Sequence, residues 1–186
     1  MNYQIPTKDV SSRDEGFFIE QTYFDYNEYK SVKKAKEDEW MNYMSGSIAF
    51  KALRYPKEVV TYLKPIDAFT VGKLVYTYNR IITGEVRDQV AFEGFIPSGS
   101  ELVDPKIKTE NEQNRQETMF EHQEYQNDRY FGTLRSLSPG VYTFGYIIRP
   151  THAGNYQVSP SRVFEFYHPE VFGRVGGKVL KIVDGK

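Results

Sequence analysis

The chain is predicted to be all-β, an antiparallel β-sandwich carrying an insertion or a short helix, and three observations predict it. From residue 130 to 149, aromatic, β-branched and aliphatic residues alternate with small or polar ones, with Ser138-Pro139-Gly140 punctuating the run. That pattern marks two half-buried strands joined by a tight turn. After a break at His152-Ala153-Gly154-Asn155, the short segments 156–158, 162–167 and 178–183 alternate again. Nothing between them supplies a helix long enough to cross over between parallel strands.

Taken in order, residues 1–15 are polar, hold Pro6 and the cluster 9–15, and read as a linker or the remnant of an upstream domain. Gly16 to Phe24 forms a first strand. Residues 28–39 place Lys30, Lys33, Lys34 and Lys36 ahead of Glu37, Asp38 and Glu39 with little apolar content, which describes a solvated helix or loop. Segments 48–53 and 58–63 fit a hairpin around Arg54-Tyr55-Pro56-Lys57. Segments 73–83 and 86–92 read as two strands across Gly84-Glu85, a two-residue connection of the kind hairpins favour. Residues 99–106 suit a short helix or turn limited by Pro105, and the polar tract 109–118 reads as a loop. About nine strand candidates at this spacing suit a sandwich.

The chain has 186 residues, enough for one domain, or one domain with a sizeable insertion, that buries roughly 70% of its unfolded surface without metal or disulfide. Tyr (15) and Phe (13) supply most of the aromatic content, as suits sheet cores and rims; an aromatic ligand platform is the other reading. A net charge of −1 argues against nucleic-acid binding. The absence of cysteine excludes disulfides, thiolate zinc sites and cysteine nucleophiles. No apolar run nears the roughly 18 residues of a membrane span, and the first residues, Met1 to Pro6, do not read as a signal peptide. If the protein works outside the cytoplasm, this chain is expected to be a piece of something longer.

Reactive constellations are missing. His122, His152 and His168 lie far apart with no partner at metal-ligand spacing and suit solvated or capping roles. Ser136, Ser138, Ser159 and Ser161 sit in turns, and no G-x-S-x-G elbow occurs. Gly173, Gly176 and Gly177 lie between strands, away from any helix start that would cradle phosphate. The expectation is therefore no catalytic residue, no cofactor and no metal. Asp128 and Arg129, adjacent at a strand head, are expected on opposite faces, one capping a turn and the other in a cross-strand ion pair. In Tyr167-His168-Pro169-Glu170-Val171-Phe172-Gly173-Arg174 a strand ends at proline and an exposed apolar loop follows. Val171 and Phe172, flanked by Glu170 and Arg174, make a docking surface, unless Phe172 instead tucks under the sandwich end as a lid.

The stretch EHQEYQNDR, with SLSPGVYTFGYIIRPTHAGNYQVSPSRVFEFYHPEVFGR after it, resembles the C-terminal macroglobulin-like, receptor-binding-like domain of bacterial alpha-2-macroglobulins. Family patterns of the form H-x-E-x-x-D-D-R, L-P-A-G-T-Y, T-x-A-G-x-F and Y-x-P-E-x-x-x-R align with the positions that follow, with Asn127 standing where the first Asp is usual. These are His122, Glu124, Asn127, Asp128 and Arg129, then Leu137 to Gly140 and Tyr142, then Thr151, Ala153, Gly154 and Tyr156, and last Tyr167, Pro169, Glu170 and Arg174. The likeness covers residues 16–184 and is patchy from 26 to 68, which reads as a divergent or inserted segment. Gly94-Phe95 stands where the family has D-P, and no C-x-E-Q thioester motif occurs in the chain.

The resemblance implies a macroglobulin-like, fibronectin-type-III-like sandwich. It implies a non-catalytic domain of a protease-trapping inhibitor in the periplasm or cell envelope. There the domain would pack on the thioester domain and its macroglobulin-like neighbours, shield the thioester from water, and move when a bait segment is cut. Target proteases would be met only through the full-length protein, with no nucleic acid and no membrane insertion involved. The interdomain contact would be made by Tyr167, Pro169, Glu170, Phe172 and Arg174. A lysine pair for a clearance receptor, Lys106 and Lys108, lacks the helical spacing of animal relatives and is not carried over. The competing reading is a free-standing adhesin or carbohydrate-binding module.

Overall fold

A computed structural model of the chain describes residues 9–45, 58–104 and 119–185. The described chain runs through β1 (Arg13–Glu15), β2 (Phe18–Asp25), helix α1 (Tyr26–Ser45), a short 3-10 helix (Val59–Tyr62), β3 (Ala68–Thr70), β4 (Val75–Thr83), β5 (Arg87–Phe95) and β6 (Ser100–Leu102). It continues through β7 (His122–Tyr125), β8 (Arg129–Leu137), β9 (Gly140–Pro150), β10 (Gly154–Val158), β11 (Arg162–Glu165), β12 (Phe172–Arg174) and β13 (Lys178–Val183). These strands make a six-stranded sheet β1-β12-β11-β5-β8-β7, a four-stranded sheet β2-β4-β9-β6 and a three-stranded sheet β10-β13-β3.

Alternation along each strand sends one side chain in two to a shared core. On β5 it is Val90 and Phe92, on β9 Phe144, Tyr146 and Ile148, and on β13 Leu180 and Ile182, so all three sheets contribute. The rings of Phe92 and Phe120 each meet Phe144 edge-on at 4.8 Å, and Tyr130 stacks on Tyr146 at 5.0 Å. The amide of Gly72 donates to Pro150 and that of Ile66 to Tyr23, tying the three-stranded sheet to the four-stranded one.

The all-β sandwich is as expected, with amendments. One pair, β3 with β13, is parallel, which needs a long connection; here most of the chain lies between them. The expected hairpin across Gly84-Glu85 is not one. Strand β4 is already paired on both sides, by β2 and β9, and β5 by β11 and β8, so the turn carries the chain from one sheet to the other. The Ser138-Pro139 turn does the same in the opposite direction. Because Thr83 lies opposite Gly140 and Arg87 opposite Leu137, the two arches stand side by side.

Residues 13–15, expected as linker, form edge strand β1 against β12. Residues 100–102, expected as helix or turn, pair with β9 as β6. Of the hairpin expected at 48–63, the second arm is the 3-10 helix, and the first lies outside the described residues, as do Lys106, Lys108 and the tract 109–118.

Helix α1 starts where the Asp25 carboxylate accepts the amides of Asn27 and Glu28 at 2.9 and 3.0 Å, a side-chain N-cap. Its exposed residues pair locally, Lys36 with Glu39 at 2.8 Å and Lys33 with Glu37 at 3.9 Å. The helix is not simply solvated. Tyr26, Tyr29 and Val32 pack on Phe24, Leu63, Tyr76 and Ile147, a second small core on the outer face of the four-stranded sheet. Tyr29 stacks on Tyr76 at 3.9 Å. Gly145, opposite Tyr78 in the register, leaves the space Tyr76 fills, since a Cβ there would lie 2.3 Å from the Tyr76 ring.

Candidate functional site

The five residues expected to form a contact surface are divided by the fold. Phe172 and Arg174 are not in a loop: they belong to β12, paired on one side with β1 and on the other with β11. Val171 packs against the main core. Neither proposed environment for Phe172, exposed loop or lid under the sandwich, is the one observed. Tyr167, Pro169 and Glu170 do lie in the exposed connection between β11 and β12, where the Val171 amide closes a turn onto the His168 carbonyl at 2.8 Å. The reason for the error is local: a three-residue strand is too short to show alternation, so Phe172-Gly173-Arg174 reads as loop.

Phe172 and Arg174 instead open onto a larger feature, the outer face of the six-stranded sheet. Register places Arg13, Arg174, Arg162, Glu93, Phe131 and Glu124 in one row across all six strands. The next row holds Glu15, Phe172, Phe164, Ala91, Thr133 and His122. Aromatic rings and guanidinium groups interleave. Arg129 lies 4.6 Å above Phe95, Arg162 lies 4.7 Å above Phe164, and Phe172 is flanked by Arg13 at 5.7 Å and Arg174 at 5.9 Å.

Glu93 organises the centre. Its nearly buried carboxylate accepts Arg162 Nε at 2.6 Å and Arg129 Nη1 at 3.0 Å. Charge-assisted bonds of this kind fix the guanidinium planes, and thereby hold them over the neighbouring rings. Arg129 also reaches Asp128 at 2.8 Å and holds its carboxyl below the usual range. The expectation that these two neighbours could not pair fails because Asp128 precedes β8 and escapes strand alternation; the cross-strand ion pair expected of Arg129 is present, to Glu93.

The three histidines do not converge. His122 bonds Glu124 at 2.9 Å, His152 bonds Thr151 at 2.9 Å, and His168 lies 3.5 Å from Glu170. Among the described residues no cluster of three or more His, Asp or Glu is placed to hold a metal ion, and no helix is long and apolar enough to cross a membrane.

Two interior features were not visible in the sequence. Gln21 Nε2 lies 3.0–3.1 Å from Asn79 Oδ1, the Tyr146 hydroxyl and Ser161 Oγ, sharing its two N–H groups among them. Gln21 Oε1 accepts from Tyr23 at 3.0 Å, while the Phe95 amide donates to Ser161 Oγ at 3.1 Å. This network bolts the four-stranded sheet to the six-stranded one. Gly94 makes room for it: a Cβ there would lie 2.6 Å from the Tyr146 hydroxyl, which gives a physical reason for glycine at this departure from the family pattern. Nearby, the Lys178 ammonium sits 4.3 Å above the Tyr23 ring, and burial lowers its pKa to about 8 against the opposing field of Asp67.

The family model that matches is described as the Bacterial Alpha-2-macroglobulin MG10 domain and spans residues 16–170. Comparison with curated proteins yields no match. Among solved structures, the chain is similar to Escherichia coli alpha-2-macroglobulin activated by porcine elastase (16% identity, TM-score 0.66, 96% of this chain and 14% of that one). It is similar to native E. coli alpha-2-macroglobulin spanning domain MG7 to the C-terminus (16%, 0.64, 96% and 25%). Salmonella alpha-2-macroglobulin reacted with methylamine gives 14%, 0.63, 96% and 10%. At these identities the likeness is one of fold, and the chain spans a quarter or less of each of those molecules.

Proposed function

The chain belongs to the family of bacterial alpha-2-macroglobulin MG10 domains, and we propose that it serves as a non-catalytic packing module of a longer protease-trapping inhibitor. It contacts the thioester domain through the outer face of the six-stranded sheet, keeps water from the thioester, and shifts when the bait segment is cut. Such a module acts only if it binds its neighbour better before cleavage than after. Protease is met through the whole molecule, in the periplasm or cell envelope.

The observation that carries this reading is the set of guanidinium groups lying 4.6–5.9 Å from the ring centres of Phe95, Phe164 and Phe172 on a face that no other part of the described chain covers. Arginine and aromatic residues dominate the energetics of protein interfaces. Because Glu93 and Asp128 already answer two of the charges, the partner need not supply matching carboxylates; backbone carbonyls and apolar side chains suffice. In the full-length protein, Arg162→Ala should raise the rate of free-thiol release before protease is added by about ten-fold, the effect of one lost hot-spot contact. An unchanged rate, with the domain's melting temperature also unchanged, removes this face from the mechanism.

A further inference from the structure

At the far end of the same sheet, four residues along β5 from Glu93, lies a shallow groove of roughly 480 Å³. One wall is Phe166 and Tyr167, which are 57% and 77% exposed. The opposite wall is polar, with Glu121, His122 and Arg135, and Gln89 is at the floor. Its volume falls within the range of small-molecule sites.

Three features define what it can hold. The charges in the polar wall are paired with each other: Arg135 meets Glu121 at 3.3 Å, so no unpaired lining charge selects an ion. The lining sets the exposed Phe166 and Tyr167 rings, with the buried aliphatic Val90 and Leu134, against hydrogen-bonding groups, which suits a ligand with one C–H surface and several hydroxyls. Beside the groove β8 runs past the end of β7, whose pairing stops at Thr133, and the Arg135 amide there already donates to the Glu121 carboxylate at 3.4 Å, which occupies part of the edge an added peptide strand would need.

The backbone under the groove is also unusual. Gln89 has φ +50°, the one non-glycine residue at positive φ among those described, a conformation that costs energy and recurs at binding sites. The β5–β8 register skips Gln89 while pairing Asp88 with Ser136 and Val90 with Leu134. Its carbonyl instead accepts the Phe166 amide at 2.8 Å. That bond fixes the start of the aromatic wall where the chain leaves β11.

We infer that this groove binds a neutral saccharide, with the Phe166 and Tyr167 rings against the sugar's C–H face and Glu121, His122 and Arg135 bonding its hydroxyls. The groove adjoins the docking face and shares His122 with its outer row, but it uses none of Glu93, Arg129 or Arg162, so the two can be tested separately.

The test is an amide-resolved NMR titration of the 186-residue chain with cellotetraose, maltotetraose and N-acetylchitotetraose, each carried well past about 1 mM, the affinity expected of a shallow site. At least one should shift amides of residues 89, 121, 122, 135, 166 and 167. Tyr167→Ala, which removes a side chain that packs on little, should weaken that binding about ten-fold. Tyr62→Ala, an exposed tyrosine at the far helix, should leave it unaltered. No shift in the groove with any of the three sugars overturns the inference, as does wild-type affinity in Tyr167→Ala. If an unrelated apolar peptide shifts these amides and the sugars do not, the groove is a peptide site and the saccharide assignment is wrong.

Discussion

The two outer faces of this sandwich start from the same strand alternation and end differently. On the four-stranded sheet, outward Tyr76, Tyr78 and Ile147 are covered by α1 and the 3-10 helix, with Tyr29 stacked on Tyr76 and Gly145 giving way beneath it. On the six-stranded sheet, Phe95, Phe164 and Phe172 keep arginines for neighbours and no covering element among the described residues. A sheet face buried by its own chain can be apolar throughout. A face left open to solvent dilutes its rings with charge and pins that charge from below.

The largest expected effect breaks the closed face. Tyr76→Ala removes a side chain sandwiched between α1 and β9, and should cost about 3–4 kcal/mol in chemical denaturation, with proteolysis beginning within α1. If stability falls by less than about 1 kcal/mol, the helix is an ornament and the two faces are alike.

On the open face, Glu93→Gln is the informative change. It keeps shape but leaves Arg129 and Arg162 without their shared carboxylate. Both arginines retain solvent access, which limits the loss to about 1–2 kcal/mol. The comparison holds if this variant also loosens the domain's contact in the full-length protein while Tyr76→Ala in that protein acts only through stability.

The smallest effect concerns the cation that is neither exposed nor on a face. Lys178 has a folded pKa of about 8, below its free value, because burial disfavours the charged form. Between about pH 8 and 10 the unfolded chain therefore holds more protons than the folded one, and stability rises with pH through that window. Tyr23 and Tyr146, whose hydroxyls burial pushes upward, act in the opposite sense only as the pH passes the phenol range near 10. Lys178→Met should flatten the rise in melting temperature between about pH 8 and 9.5 and add about 1 kcal/mol at neutral pH. A profile identical to that of the unmodified chain would mean that the ammonium is hydrated.

Much of the fold could be read from residues alone where a strand was long enough to repeat. Strand β13 lies where alternation put it, and β9 follows the run through Tyr142, Phe144 and Tyr146. Short or one-off features were not legible. Three residues at 13–15 and three at 172–174 carry no period, and Thr83-Gly84-Glu85 has the composition of a hairpin turn while serving as an arch. The candidate surface was half legible: Phe172 and Arg174 were read as part of a loop although they lie in β12, and no motif in the sequence singles out Glu93.

The amino-acid order by itself determined the all-β class, most strand positions and the absence of cysteine chemistry, because periodicity and composition are local properties. Only the tertiary structure decided which strands became neighbours, and so which arginine met which ring. Row partners such as Arg13, Arg162 and Glu93 lie far apart along the chain. What brings them together is the burial of Val90, Phe92 and Val163 on the other side of the same sheet: the core chooses the register, and the register writes the outer face.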